Sequence, residues 1–422
     1  MLNFIYKGII ALIISFGINS ISIAEDELLF DDELVFDDSD EEFGEWDDDS
    51  DVFGDNDINL EKSYSWLDLS VTQKYGVNPA SSYSTAMERT ELRLGTSGSV
   101  FDSGYGEVEI KATKYWPSDS NNSIEASDIE VEKAFLQFSF DDWSTKLGRY
   151  SMGWGELEGG ALDLINPSGG LTDPSMESQL FLSATRYSEN SDISLFYNTN
   201  PSINKSILLL KESKADEFGF RYGVNREGGD MAFYFGQLVP NDALLNLTDG
   251  MVYASPYKLL GFSMNKAFDG YLLKFDIAYK NDLEHNRQGQ FIKMDRVDWD
   301  LAFDIQKNDR TLLISVNSQH LLDFYSDYLS PTSTGSVSSK KNNLTYMARV
   351  SDKFGDSNWS WNASHVILSN NDLSLTSAGL DWDINDHWKA SLGATYADAK
   401  PDRAMSELDA YQRINLEVKY QY

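Results

Sequence analysis

Four histidines, His285, His320, His365 and His387, are the first candidates for proton chemistry in this sequence of 422 residues. None has a serine or a second histidine at a spacing that would build a nucleophile–base pair or a metal pair. No phosphate loop or HExxH motif occurs either. Cysteine is absent, which removes thiol catalysis, thiolate metal sites, disulfide scaffolds and the lipid-anchored start of a lipoprotein. Asp49 and Asp51 begin an oxygen-ligand spacing, but Phe53 and Leu60 stand where a calcium loop needs ligands. The sequence therefore predicts a chain that is not an enzyme and holds no cofactor or metal.

What remains is charge set out with a period of two. Arg296, Asp298, Asp300, Asp304 and Gln306 alternate with Val297, Trp299, Leu301, Phe303 and Ile305. Asp381 and Asp383 alternate with Leu380, Trp382 and Ile384, and Lys389 and Ser391 with Trp388, Ala390 and Leu392. Such alternation belongs to strands with one apolar and one polar face. The same parity puts Asp68, Glu91, Glu109, Asp276 and Glu417 on polar faces, with Arg93, Lys111, Lys146, Arg221, Lys274, Arg349 and Lys419. So many ionised groups cannot be desolvated without a large cost, so their face is expected to be wet. With both signs nearly balanced, the chemistry on offer is the passage of small hydrophilic solutes, leaning toward cations or neutral molecules.

The elements that carry these faces are short-looped hairpins. Alternation breaks at turn clusters to give eighteen strands, the first at 62–75 and the last at 407–422, with sixteen as the alternative count. Every even-to-odd connection is tight: Asp141-Asp142, Glu189-Asn190, Glu227-Gly228, Asp269, Asn308, Asn385-Asp386. Most odd-to-even connections are long, as at 153–176, 199–215, 240–255 and 322–340, with Asn370-Asn371 the exception. A soluble sandwich has no cause to sort its loops by side, whereas membrane barrels pair short periplasmic turns with long outer loops. No helices are predicted to cover the apolar faces, and only a closed sheet satisfies its backbone in hydrocarbon. The fold class is thus all-β: a transmembrane antiparallel β-barrel, with 22 tyrosines, 23 phenylalanines and 10 tryptophans suited to aromatic girdles. Eighteen strands enclose more space than side chains fill.

The ends of the chain fit that compartment. Met1 to Ala24 has Lys7, an apolar run from Ile9 to Phe16 and Ser22-Ile23-Ala24, the pattern of a secretory signal peptide cleaved near Ala24. Residues 25–57 hold 18 acids and no base, which is about half of the net charge of −34. The segment 25–60 is expected to be a disordered periplasmic leader, and 61–422 the barrel. This acidity also disfavours a nucleic-acid partner. Phe30, Phe36, Phe43, Trp46 and Phe53 recur within the acids, and a solvated leader competes with a bait whose aromatics anchor a periplasmic partner. Ile414, Leu416, Val418, Tyr420 and Tyr422 alternate to the last position. That terminus resembles the final strand of Gram-negative outer-membrane barrels, which implies insertion among outer-membrane lipid, as a monomer or a homotrimer.

The connection 153–176 is the third outer loop in this count. Its glycines let the chain fold back closely, and Trp154, Glu156, Glu158, Asp163 and Asp173 become candidates for a constriction with basic wall residues opposite. In porins, which the chain resembles, the third outer loop enters the barrel. Leu147-Gly148-Arg149, Trp154-Gly155-Glu156 and Asp163-Leu164-Ile165-Asn166-Pro167 also resemble the GR…WGE…D…NP signature of a proteobacterial outer-membrane barrel family of unknown function. Members of that family are sometimes linked with exporters of lipid or hydrophobic compounds. Arg149 shares parity with Leu147, so a bulge at Gly148 is needed to aim it inward. Two functions remain open at this point. One is a passive, weakly cation-leaning channel; the other is an export or assembly component docked through the acidic tail.

Overall fold

A computed structural model describes residues 65–79, 84–101, 103–119, 126–157, 159–165, 178–201, 215–240, 244–245, 252–287, 290–307, 309–324, 329–332, 335–338, 340–355, 357–369, 373–399 and 412–422. The leader, the acidic segment and its aromatics Phe30, Phe36, Phe43, Trp46 and Phe53 lie outside these residues, as do Glu158 and Asp173.

Eighteen strands form one sheet. In chain order they are β1 (Ser65–Asn78), β2 (Ser84–Val100), β3 (Gly104–Tyr115), β4 (Ser127–Phe140), β5 (Trp143–Tyr150) and β6 (Gln179–Ser188). Then come β7 (Ser191–Asn198), β8 (Glu217–Arg226) and β9 (Gly229–Leu238). After a small hairpin, β10 (Leu244–Leu245) with β11 (Val252–Tyr253), the wall resumes with β12 (Tyr257–Phe268), β13 (Tyr271–Arg287), β14 (Gln290–Lys307) and β15 (Arg310–Leu321). A second hairpin, β16 (Leu329–Thr332) with β17 (Gly335–Ser338), precedes β18 (Asn342–Lys353), β19 (Trp359–Leu368), β20 (Leu373–Asn385), β21 (Trp388–Ala399) and β22 (Gln412–Gln421). Each wall strand pairs antiparallel with its sequence neighbours. β22 closes the ring on β1 from Ser70↔Gln421 to Val77↔Ile414, and the Tyr422 N–H donates to the Leu69 carbonyl at 2.9 Å.

Closure leaves no edge strand, so the backbone is satisfied without water on either face. One rim carries the tight connections, such as 141–142, 189–190, 227–228, 269–270 and 386–387; the other carries 116–126, 151–178, 199–216 and 400–411. The exception on the long-loop rim is not where the sequence placed it alone. Asn281-Asp282 reads as the end of a strand, yet β13 runs on to Arg287 through a bulge between Lys280 and Leu283. Asp282 takes a positive φ of 63° there, and the Asp295 carboxylate accepts from the Asn281 side chain and the Asp282 N–H. A turn-forming pair has been used to bend a strand instead of ending it.

The faces are inverted relative to a soluble sheet. On β14, Phe303 is 40% exposed, whereas Asp298 and Asp300 are 1% and 2% exposed. Leu260 on β12, Leu182 on β6 and Phe235 on β9 also point their apolar side chains outward. Rings gather at the short-turn rim. Trp359 stacks on Trp382 at 5.0 Å, Phe268 on Tyr271 at 4.8 Å, and Trp388 lies 4.9 Å from Tyr420. Such a belt suits a headgroup boundary.

Candidate functional site: a lined lumen

After β5 the chain turns into the barrel. Trp154, Ala161, Leu162 and Ile165 are buried together with wall residues of β4 to β7, β9, β12 and β13. The Trp154 ring meets Phe196 edge-on at 5.2 Å and Tyr234 at 5.1 Å. Two wall glycines make this approach feasible. A Cβ at Gly219 would fall 2.3 Å from the Trp154 ring, and one at Gly261 would fall 2.5 Å from a Leu162 methyl.

Polar anchors fix the loop against β12 to β15. Asp276 on β13 accepts the backbone N–H of Glu156 at 2.9 Å and of Leu157 at 3.3 Å. Asp300 on β14 accepts the Ala161 N–H and the Asn317 side-chain amide. The Gly155 N–H donates to the Tyr234 hydroxyl at 3.3 Å. Beyond the loop's buried stretch, Gln179 donates to the Ile165 carbonyl at 2.7 Å. Behind these anchors Asp298 pairs with Lys280 at 2.6 Å and with Arg296 at 2.8 Å. This part of the interior is sealed, where the sequence led us to expect water. The charges tolerate it because each carboxylate is met by loop amides or by cations, which offset the desolvation that an unpaired charge would suffer.

The sequence suggested basic wall residues opposite the loop acids; at Glu156 the structure places neutral ones instead. The Glu156 carboxylate accepts from Asn265 at 2.8 Å and from Ser263 at 3.4 Å, both neutral groups of β12. Asp163 accepts the Gly159 N–H at 2.7 Å. The wall carboxylates hold the loop backbone, which reverses the polarity anticipated. Arg149 stays in register with Ala134 and Leu180, and no register shift occurs at Gly148. It therefore shares the outward face of Leu147 and Leu180, without the bulge that inward aim required.

The opposite wall, β22 and β1 to β4, is lined quite differently. Lys74 lies 3.2 Å from Glu91 and 3.9 Å from Glu417. Arg93 lies 3.4 Å from Glu132, and Lys111 is 3.3 Å from Glu132 and 3.7 Å from Glu130. Lys133 reaches Glu107 at 3.1 Å and Glu109 at 3.5 Å. Consecutive residues Glu132 and Lys133 both enter this ladder because β4 carries a bulge: Glu109 pairs with Lys133 and Ile110 with Val131, leaving Glu132 between them. The side chains of Lys133 and Arg93 keep 39% and 31% exposure, so solvent reaches this wall. Toward the short-turn rim the ladder opens into a recess lined by Asp68, Arg93, Glu107, Glu109, Lys419 and Gln421.

The other lumen candidates are dispersed. Arg221 pairs with Asp192, and Asp381 accepts the Ser391 hydroxyl at 2.5 Å and lies 3.8 Å from Lys389. Asp383 is exposed opposite Lys389 in register, and Arg349 sits between Leu313 and Ser364. Asp304 is on the face of Asp298 and Asp300, in register with Leu272 and Leu313. Sequence reasoning missed Tyr234, Ser263 and Asn265 as partners of the loop, and Lys280 and Asn317 as partners of Asp298 and Asp300, since uncharged or isolated polar residues on a strand carry no motif. It also missed Glu107, Glu130, Glu132 and Lys133. Strand parity with Glu109 could have found Glu107, but the bulge that aligns Glu132 and Lys133 leaves no parity signal.

No family model matches the sequence, and no curated protein is similar to it. The barrel-family signature therefore rests on its motif alone. Solved structures are similar in fold. Acinetobacter baumannii OccAB1 superposes with a TM-score of 0.55 at 8% identity, over 84% of this chain and 96% of that one. Pseudomonas aeruginosa OprD gives 0.53 at 10%, over 84% and 94%. Pseudomonas aeruginosa OpdK, solved with vanillate, gives 0.53 at 10%, over 84% and 98%. The architecture is that of outer-membrane porins.

Proposed function

We propose that the chain is a passive channel of a Gram-negative outer membrane, admitting small hydrophilic solutes along the β1–β4 and β22 wall with a weak preference for cations. One observation carries this reading: a closed cylinder exposes its apolar residues outside and keeps an ionic, solvent-reached lining inside. In hydrocarbon the outer face is at home, and a lumen with charges of both signs retains water. The described residues of the loop after β5 pack against the wall around β12 to β14, away from the ladder, which supports a narrowed path beside it. Three acids and two bases line the recess, which favours cations weakly. That OpdK was solved with vanillate fits a barrel of this kind serving small solutes.

Purified, refolded protein in a planar bilayer under a potassium chloride gradient tests the proposal. Steady ohmic steps with a small reversal potential toward potassium are expected, reduced when Glu107→Gln and Glu109→Gln are combined. A silent bilayer, from protein that shows heat-modifiable gel mobility, would overturn it.

A further inference from the structure

The ladder is more than a charged surface. The cations Lys74, Arg93, Lys111 and Lys133 each have a carboxylate within 4 Å, and most carboxylates of the ladder touch a cation in return. A solute with a single charge gains from one member of such a pair only by competing with the other. It must weaken an ion pair and leaves one member short of its counter-charge. A solute carrying an ammonium and a carboxylate meets no such conflict. It can insert between a cation and its carboxylate and replace one contact by two.

The recess is the place where this exchange is accessible. Arg93 and Lys419 stand on one side of its chemistry, and Asp68, Glu107 and Glu109 on the other. The β4 bulge is what brings it about. If β4 kept strict alternation through Glu132, with no bulge, Lys133 would point outward and Glu107 and Glu109 would lose its ammonium group. Bulges commonly re-aim a side chain in this way. In its place a run of acids would attract cations outright. With it, acids and bases interleave along the path from Lys74 to the recess.

We propose that this recess is a transport subsite for dipolar solutes, small molecules bearing both an ammonium and a carboxylate group. The proposal rests on the channel reading above. Osmotic swelling of vesicles holding the purified protein separates the two. The probes are β-alanine, which is dipolar, lactamide, which is neutral and of similar size, and the potassium salt of propionate. Swelling in β-alanine should run about threefold faster than in lactamide, the advantage expected when one weak, solvent-reached ion pair becomes two. Arg93→Gln and the combination Glu107→Gln with Glu109→Gln should each bring the β-alanine rate down to the lactamide rate measured on the same variant, whereas Arg93→Lys should retain most of the advantage. Gel mobility before and after heating reports that each variant is folded.

Equal rates for β-alanine and lactamide, in vesicles that swell, overturn the subsite and leave the channel standing. An advantage that survives both variants also overturns it, because selection would then arise elsewhere. Faster entry of propionate than of β-alanine would show that the bases act alone, and would overturn it too. No swelling with any probe removes the channel and the subsite together.

Discussion

Two walls of one barrel, both made from antiparallel strands with one polar and one apolar face, use charge in opposite ways. On β13 and β14 the carboxylates of Asp276, Asp298 and Asp300 are sealed beneath a loop and are consumed in holding structure. On β1 to β4 the carboxylates of Glu107, Glu109, Glu130 and Glu132 face bases across solvent-reached space. The side-chain chemistry is the same. What differs is whether loop amides and buried cations or solvent-reached cations complete it. A buried carboxylate bonded to amides is a fixed anchor, while a wet ion pair can exchange partners at little cost.

Substitutions should separate the walls in order of size. Trp154→Ala removes the ring that fills the space between Phe196 and Tyr234, and a cavity of that kind costs about 3–5 kcal/mol. Loop detachment should appear as larger single-channel conductance and as new cleavage by added protease between 151 and 165. Asp276→Leu strips the acceptor from two loop amides in a dry site, at about 1–3 kcal/mol for each unsatisfied group. It should shift conductance in the same direction and leave the reversal potential almost unchanged. Gly219→Ala puts a methyl group into the Trp154 ring, with overpacking of about 1–3 kcal/mol, read as a lower midpoint in a urea unfolding series. On the other wall Arg93→Gln should cost less than about 1 kcal/mol in that series. Its effect should instead be on selectivity. That selectivity should fade as salt is raised toward 1 M, where the Debye length falls to about 3 Å. If Arg93→Gln opened the pore as widely as Asp276→Leu, the distinction between the walls would fail.

Much of this architecture was legible in the sequence, for reasons that are local. The alternation of Val297 to Ile305 against Asp298 to Asp304 fixes the two faces of a strand, and tight pairs such as Asp141-Asp142 fix the short rim. The glycines of the loop after β5 and its place in the order of connections made an inward fold one reading, with a surface cap over the barrel the other. The partners of the loop were not legible. Asp276 and Asp300 have the correct parity, but nothing in a strand pattern tells a wet carboxylate from one capped by loop amides 119 or more residues away. Gly219 and Gly261 read as ordinary strand weaknesses until Trp154 and Leu162 are seen against them. The bulges at Lys280–Leu283 and at Glu132 break parity without breaking the strand, so Lys133 was lost and β13 was ended early.

The absence of native cysteine gives a clean probe of the central claim, that lipid covers the outer face and water reaches the β1–β4 wall but not the residues sealed beneath the loop. Single variants Leu260→Cys, Ala302→Cys and Glu107→Cys would be exposed, in intact vesicles, to a membrane-impermeant thiol reagent. Position 107 is expected to label quickly. Position 302, buried on the inner face of β14, should label slowly, and position 260, against hydrocarbon, should not label until detergent with denaturant is added. Labelling of position 260 at the rate of position 107 would contradict the account.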